Sequence, residues 1–103
     1  MNEEQQMLYD FLNANHRGRG NAIISDRIRE ALGLQWGRTE ESTRELIREM
    51  VINLHSPIGS STNGYFIIVD IEDLNVAVAH LNSRVQRTNH RIASLETLRP
   101  TLI

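Results

Sequence analysis

The sequence predicts a mostly helical α+β protein in which three helices, a short strand and a two-stranded hairpin are followed by a long C-terminal helix. Three observations favour this fold class. Apolar residues recur every three or four positions in four separate segments, which is the spacing of one helical face. The stretch from 56 to 69, SPIGSSTNGYFIIV, combines a proline, an Asn-Gly dipeptide and an apolar return strand, as hairpins do. A regular heptad pattern begins directly afterwards, at Ile71.

The composition is that of one soluble globular domain with a modest core. The chain has 103 residues, of which 40% are hydrophobic and 23% charged. Its longest apolar run, 65–69, is far shorter than the roughly 20 residues that span a bilayer. The start, MNEEQQ, lacks the basic flank of a secretion signal, and the chain has no cysteine. We therefore expect a cytoplasmic protein.

Two helices and a brief strand are predicted before residue 33. The first helix is expected from about Glu3 to Asn15, because Asn2 and Gln5 have capping-box spacing. The glycines of HRGRG end it, and the apolar run NAII predicts a brief strand. Ser25 is expected to cap a second helix, Asp26 to Leu32, which the following glycine ends.

The third helix is predicted from its N-cap, Thr39, to about Asn53. Trp36, in the turn before it, is expected to cover the core. Pro57 cannot continue the helix, and Asn63-Gly64 predicts a type I′ turn in the hairpin that follows. The residues of the third helix expected to face inward recur by three and four: Thr43, Leu46, Ile47, Met50, Val51 and Leu54.

The last helix is predicted from Ile71, with Asp70 as its cap, to about Leu98, a length of roughly 40 Å. Its apolar positions alternate steps of three and four without a slip, with β-branched residues at a and mostly leucine at d. This pattern favours a two-stranded parallel coil, although antiparallel pairing and a folded-back monomer stay open. The predicted homodimer interface consists of Ile71, Leu74, Val78, Leu81, Val85, Thr88, Ile92 and Leu95.

The order of these elements is that of a winged helix-turn-helix: residues 1–69 form this domain, 70–99 the coiled-coil helix and 100–103 a tail. The runs HRGRGNAIISDRIREALGL, STRELIREM and SPIGSSTNGYFI resemble the winged helix-turn-helix domains of the biotin-operon-repressor type. They are similar above all to small phage and prophage proteins, which HLNSRV in the tail also resembles. The resemblance covers about residues 5–70. It implies binding to double-stranded DNA as a small transcriptional regulator or phage accessory factor, in the host cytoplasm if the chain is phage-encoded.

In such a domain the third helix enters the major groove, and its early outward residues meet base edges. Arginine suits this role because its planar fork donates two hydrogen bonds to guanine or to phosphate. Hydroxyls at a helix start or a hairpin tip can bind phosphate but not attract it. The residues predicted to contact DNA are Arg17, Arg19, Arg38, Thr39, Ser42, Arg44 and Arg48, with Ser60, Ser61, Thr62 and Asn63 of the hairpin.

The net charge of −2 leaves a second function open. Residues 16–64 hold seven arginines against six acids, so positive charge is local. Carboxylates on the third helix repel phosphate, and they can instead form intrahelical pairs such as Glu40 with Arg44 and Glu45 with Arg48. The alternative is a protein-interaction adaptor in a phage replication or assembly complex, in which the acidic outer face of this helix meets a basic partner.

Neither catalysis nor cofactor binding is expected. The four histidines lack ligand-type partners at helical spacing, and the serines lack a nucleophile-elbow context. We therefore predict no enzyme activity, no metal, no cofactor and no small-molecule ligand. Arg84, Arg87 and Arg91 lie off the heptad core and are interpreted as a solubilising flank.

Overall fold

A computed structural model describes residues 1–102 and contains, within them, four α-helices and one two-stranded antiparallel sheet. The mostly helical α+β class is thereby confirmed. No helix in this range is long and apolar enough to cross a membrane. The elements in chain order are α1 (Glu3–Asn15), a 3₁₀ turn (Arg19–Asn21), α2 (Ser25–Leu32), α3 (Glu40–Leu54), β1 (Ile58–Ser61), β2 (Gly64–Ile67), α4 (Ile71–Glu96) and a final 3₁₀ turn (Arg99–Thr101).

Side-chain caps fix the starts of three helices at the predicted residues. The side-chain oxygen of Asn2 accepts from the Gln5 amide at 2.8 Å, and the Gln5 side chain accepts from the Asn2 amide at 2.9 Å. Thr39 and Asp70 each accept from the amide three residues on, at 3.0 and 2.8 Å. These bonds satisfy amides that have no partner inside the helix, so each helix begins where its cap residue stands.

The start of α2 differs from the prediction. Ile24 is the N-cap, without a side-chain cap bond, and Ser25 is already the first helical residue. The hydroxyl of Ser25 donates to Glu40 Oε1 at 2.9 Å. The predicted Ser25 cap is therefore wrong, because its hydroxyl joins the start of α2 to the start of α3.

The predicted NAII strand is reduced to a single bridge. Ile23 and Tyr65 exchange both backbone hydrogen bonds, at 2.9 and 2.8 Å, without forming a longer ladder. A second bridge joins Arg17 to Ile67 in parallel orientation. The connection between α1 and α2 is thus fastened to β2 at two points.

The hairpin turn lies one residue earlier than predicted. Ser61 pairs with Gly64 across the strands, so Thr62 and Asn63 form the two-residue tip. Neither tip residue has a positive φ, whereas Gly64 has a φ of 118°. The predicted type I′ turn at Asn63-Gly64 is therefore wrong. Gly64 is required for a different reason: a Cβ there would lie 2.3 Å from the carbonyl carbon and oxygen of Ile23.

The core lies between the first three helices and the hairpin. Its buried apolar residues are Leu8, Leu12, Ile28, Trp36, Leu46, Ile47, Met50, Ile58, Phe66 and Ile67. The indole of Trp36 donates to the buried Thr43 hydroxyl at 2.9 Å, which confirms that Trp36 covers the core. Val51 and Leu54 were expected inward but are exposed. Val51 follows Arg48 by three residues and so lies on the solvent face of α3, while Leu54 lies in a last turn that extends past the core.

Helix α4 is anchored at its start and projects at its end. The carboxylate of Asp73 is buried and accepts from the amides of Val69 and Arg19, both at 3.0 Å, and from the Arg19 guanidinium at 2.8 Å. One turn later Ala77 packs against Gly59 of β1. Residues 81–102 are all exposed. The radius of gyration, 16.6 Å, accordingly exceeds the roughly 13 Å of a compact chain of this length.

The heptad stripe of α4 is not the face that packs on the domain. Asp73 and Ala77 face the hairpin, whereas the stripe lies on an adjacent side of the helix. Its apolar members are between 42% and 66% exposed. Seven large apolar side chains therefore lie along the helix about half exposed within residues 1–102.

Candidate nucleic-acid interface

A groove of about 1090 Å³ runs between the outward face of α3, the hairpin and the middle of α4. Helix α3 and helix α4 form its two walls, and β1 with the hairpin tip forms its base. We call it the arginine groove. The polar and charged side chains that define it are Ser25 at the start of α2, Glu40, Glu41, Arg44 and Arg48 on α3, Ser60, Ser61, Thr62 and Tyr65 on the hairpin, and His80, Arg84 and Arg87 on α4.

Positive charge exceeds negative charge in this groove, although the whole chain has a net charge of −2. Four arginines and two glutamates line it, which leaves an excess of two positive charges with histidine neutral. Of the four arginines, only Arg44 has an ion-pair partner among residues 1–102, Glu40 at 3.8 Å. In the described part of the chain Arg48, Arg84 and Arg87 form no salt bridge. Their guanidiniums retain their hydrogen-bonding capacity for an anion.

The half-buried Tyr65 lies between the two walls and is affected by both. Burial raises the pKa of its phenol, and the guanidiniums of Arg44, Arg84 and Arg48 oppose that rise. Arginines from α3 and from α4 are therefore close enough to act on one hydroxyl. The positive potential in the groove is shared between two helices that are distant in sequence.

The geometry of α3 separates its two arginines from two of its four glutamates. Arg44 and Arg48 are one turn apart and both line the groove. Glu45 and Glu49 are not among the residues that line it. The alternative pair of Glu40 with Arg44 is present, and Glu40 also accepts from the Ser25 hydroxyl. No salt bridge joins Glu45 to Arg48 within residues 1–102.

Three of the predicted contact residues hold the turn before α3 in place. Arg38 pairs with Glu4 of α1, donates to the carbonyl of Ser42 at 3.2 Å and lies 5.9 Å from the Trp36 ring centre. The Thr39 hydroxyl accepts from the Ser42 amide at 3.0 Å. These side chains have internal partners and lie outside the set that lines the groove.

The loop after α1 is likewise occupied by internal bonds. Arg19 pairs with Asp73 at 2.8 Å and with Asp70 at 3.3 Å, and its hydrogen bond to Asp73 raises the pKa of its guanidinium. Arg17 donates to the side-chain oxygen of Asn13 at 2.6 Å. Arg17 and Arg19 are not brought to the groove with Arg44 and Arg48.

The hairpin contributes hydroxyls but no charge to the groove. Ser60, Ser61 and Thr62 line it, whereas Asn63 does not. The backbone amide of Asn63 instead donates to the Ser61 hydroxyl at 3.2 Å. Sequence reasoning missed His80, Arg84 and Arg87. A signal was available, since 73, 77, 80, 84 and 87 are spaced by three and four and so share one face of α4.

Comparison with protein-family models, with curated proteins and with solved structures finds no match to this chain. The fold and the site therefore define it on structural grounds. It is a small, mostly helical α+β protein with an arginine-lined groove and an exposed apolar stripe on a projecting helix.

Proposed function

We propose that this protein is a dimeric DNA-binding protein built on a winged helix-turn-helix. In this proposal α3 is the recognition helix, the β1–β2 hairpin is the wing, and α4 is the dimerisation helix. Such a protein acts as a small transcriptional regulator or an accessory DNA-binding factor.

The arrangement of elements supports the winged-helix assignment. Three helices precede a hairpin, and the segment between the first two pairs with β2 through Ile23 and Tyr65. That bridge puts the residues before α2 at the edge of the hairpin, where the short first strand of such a domain lies. The hairpin stands directly beside the outward face of α3.

The observation that carries the proposal is the juxtaposition of Arg44 and Arg48 with the hydroxyls of the hairpin. Two guanidiniums one turn apart on a helix can donate to base edges or phosphates in a major groove. The serine and threonine hydroxyls beside them can donate to a neighbouring phosphate. Arg48 has no ion pair within residues 1–102, so DNA would not have to displace a carboxylate from it.

Dimerisation through α4 explains how a protein of low positive charge can hold DNA. One groove offers few phosphate contacts, and a dimer doubles them while the second contact becomes intramolecular. The apolar stripe of α4 is exposed along about 39 Å of helix and has the heptad pattern of a two-stranded coil. A second copy of the chain buries this stripe against an identical one.

DNA binding is tested with labelled duplexes of random and genomic sequence, by fluorescence anisotropy at about 50 and about 200 mM salt. We expect the wild-type protein to bind at the lower concentration. The double variant Arg44→Ala, Arg48→Ala should bind at least about tenfold more weakly. Its salt dependence should shrink by about 0.9 per lost phosphate contact in log–log slope.

The matched control removes two arginines elsewhere. Arg27→Ala with Arg99→Ala changes the net charge equally but alters exposed side chains outside the groove. Equal weakening by the two double variants would show a general charge effect and refute the α3 assignment. Absence of wild-type binding at the lower salt concentration would refute DNA binding itself.

Dimerisation has its own test by sedimentation at micromolar concentration. Val85→Glu with Ile92→Glu puts charge at two exposed stripe positions, so a monomer is expected. Gln86→Glu with Ala93→Glu adds the same charge one residue further round the helix and should leave the dimer intact. A wild-type protein that sediments as a monomer would refute this part of the proposal.

A further inference from the structure

Helix α4 carries two different rows of side chains. One is the apolar heptad stripe. The other, which we call the basic row, consists of His80, Arg84, Arg87 and Arg91, spaced by four, three and four residues. Each member of the basic row stands one position before a member of the stripe, so the two rows are about 100° apart around the helix. A partner that covers the stripe therefore leaves the basic row accessible.

The anchoring of α4 fixes the direction of the basic row. Asp73 is held by two backbone amides and a guanidinium, and Ala77 packs on Gly59. These residues share the face of the basic row, since helical spacing continues from them to Arg84 and Arg87. The helix cannot rotate about its axis without breaking these contacts. Arg84 and Arg87 consequently line the arginine groove opposite Arg44 and Arg48.

The basic row has no internal counter-charge. Between Leu74 and Leu95, α4 contains three arginines and neither aspartate nor glutamate. Arg84 and Arg87 form no salt bridge with any residue in the range 1–102. Glu40 and Glu41 also line the groove, but its four guanidiniums leave an excess of positive charge that favours an anion between the two walls. The groove is thus suited to a polyanion that can contact both walls.

We propose that Arg84 and Arg87 contact the phosphate backbone of the same DNA that α3 reads, so that α4 serves both as dimerisation helix and as second wall of the DNA site. The inference rests on the proposed function. Arg84 and Arg87 contact phosphates rather than base edges, because the major groove admits one helix and α4 lies across the hairpin from α3. Arg91, one turn beyond Arg87, extends the row along the backbone.

In this assignment a single rigid element, α4, both dimerises and contacts DNA. Pairing of the stripes brings two basic rows together with two α3 helices, so DNA meets positive side chains from both protomers. Phosphate contacts carry no sequence information, and their loss weakens binding to every duplex by the same factor. Loss of a base contact from α3 instead reduces the preference for one sequence over another.

The test compares two charge-matched double variants, Arg84→Ala, Arg87→Ala and the control Arg27→Ala, Arg99→Ala. Binding is again measured by anisotropy over a range of salt concentrations. We expect the first variant to bind about tenfold or more weakly than the control at low salt, equally on random and genomic duplexes. Four guanidiniums are lost from a dimer, so the log–log salt slope should fall by about 3.6. Lysine at positions 84 and 87 keeps the charge and should restore most of that slope.

The outcomes separate the two proposals. If Arg44→Ala with Arg48→Ala weakens binding but the α4 variant matches the control, α3 reads DNA alone and the present inference is refuted. If the wild type does not bind duplex DNA, both proposals fail. Circular dichroism and sedimentation of the α4 variant should match the wild type, because both residues are exposed and lie outside the heptad stripe. A monomeric or unfolded α4 variant whose lysine counterpart is equally defective would assign the two arginines to structure and overturn the inference.

Discussion

The contact between Gly64 and the connection before α2 provides a sharp test of the hairpin's position. A Cβ at residue 64 would lie 2.3 Å from the carbonyl carbon and oxygen of Ile23 and 2.6 Å from the amide nitrogen of Ile24. These are backbone atoms, which cannot rotate away as a flexible side chain can. Gly64→Ala must therefore move the hairpin away from this segment, and we expect a substantial loss of stability.

The size of the loss follows from two contributions. A φ of 118° is unfavourable for alanine by about 1 kcal/mol or more. Moving the hairpin also breaks the two backbone hydrogen bonds between Ile23 and Tyr65, each contributing about 1 kcal/mol net. The free energy of unfolding should fall by about 3 kcal/mol in total. A melting temperature lower by about 12 °C or more corresponds to this change.

Gly33→Ala is the matched control. Gly33 also has a positive φ, 71°, but a Cβ there would meet no atom within 4 Å. It should lose only the conformational contribution, which at a φ of 71° and a ψ of −164° is about 1 to 3 kcal/mol. Urea denaturation of both variants and the wild type at one protein concentration measures the difference. Equal losses for Gly64→Ala and Gly33→Ala would refute the close approach of the hairpin to Ile23.

Three further predictions concern side chains around the hairpin and α4. Hydrogen bonds from the Val69 amide first, and then from Arg19, hold the pKa of the Asp73 carboxyl below its ordinary value. The stability that this carboxylate contributes is present above pH about 4 and is lost as the pH falls through the lowered pKa. Asp73→Asn should therefore make acid unfolding less steep than in the wild type, as measured by circular dichroism. Within residues 1–102 the buried hydroxyl of Ser56 has no hydrogen-bond partner. Ser56→Ala should therefore leave the free energy of unfolding, measured by urea denaturation, unchanged or raise it by up to about 1 kcal/mol, and a clear decrease would contradict this. A Cβ at Gly59 would lie 3.0 Å from a side chain of α4 and from the Phe66 ring, so Gly59→Val should destabilise by about 1 to 3 kcal/mol, and a neutral thermal melt would show that α4 does not pack there.

Local rules of sequence predicted the helices well. The caps at Asn2, Thr39 and Asp70 lie where the spacing of cap and acceptor requires, because these interactions involve residues only three positions apart. The apolar face of α3 as far as Met50 was likewise predicted from its period. The prediction failed at Val51, where the helix runs beside the groove instead of the core.

Predictions that depended on a partner distant in sequence failed or stayed open. Ser25 has the residue type and position of a cap, but Glu40, fifteen positions later, accepts its hydroxyl. Asn63-Gly64 has the composition of a type I′ turn, yet Gly64 is needed for its approach to Ile23. A local rule cannot anticipate a contact that forms only when two distant segments pack together.

The sequence by itself determined the four helices, the hairpin and the uninterrupted heptad stripe of α4, because these depend on period and on capping over a few residues. Tertiary structure decided which arginines have internal partners and which are available. Arg19 and Arg38 appeared equivalent to Arg44 and Arg48 in sequence, but packing places the first two beside Asp73 and Glu4. It also places Arg84 and Arg87 opposite α3, about forty residues away in the chain, since the direction of a helical face is fixed only when the helix packs on its neighbour.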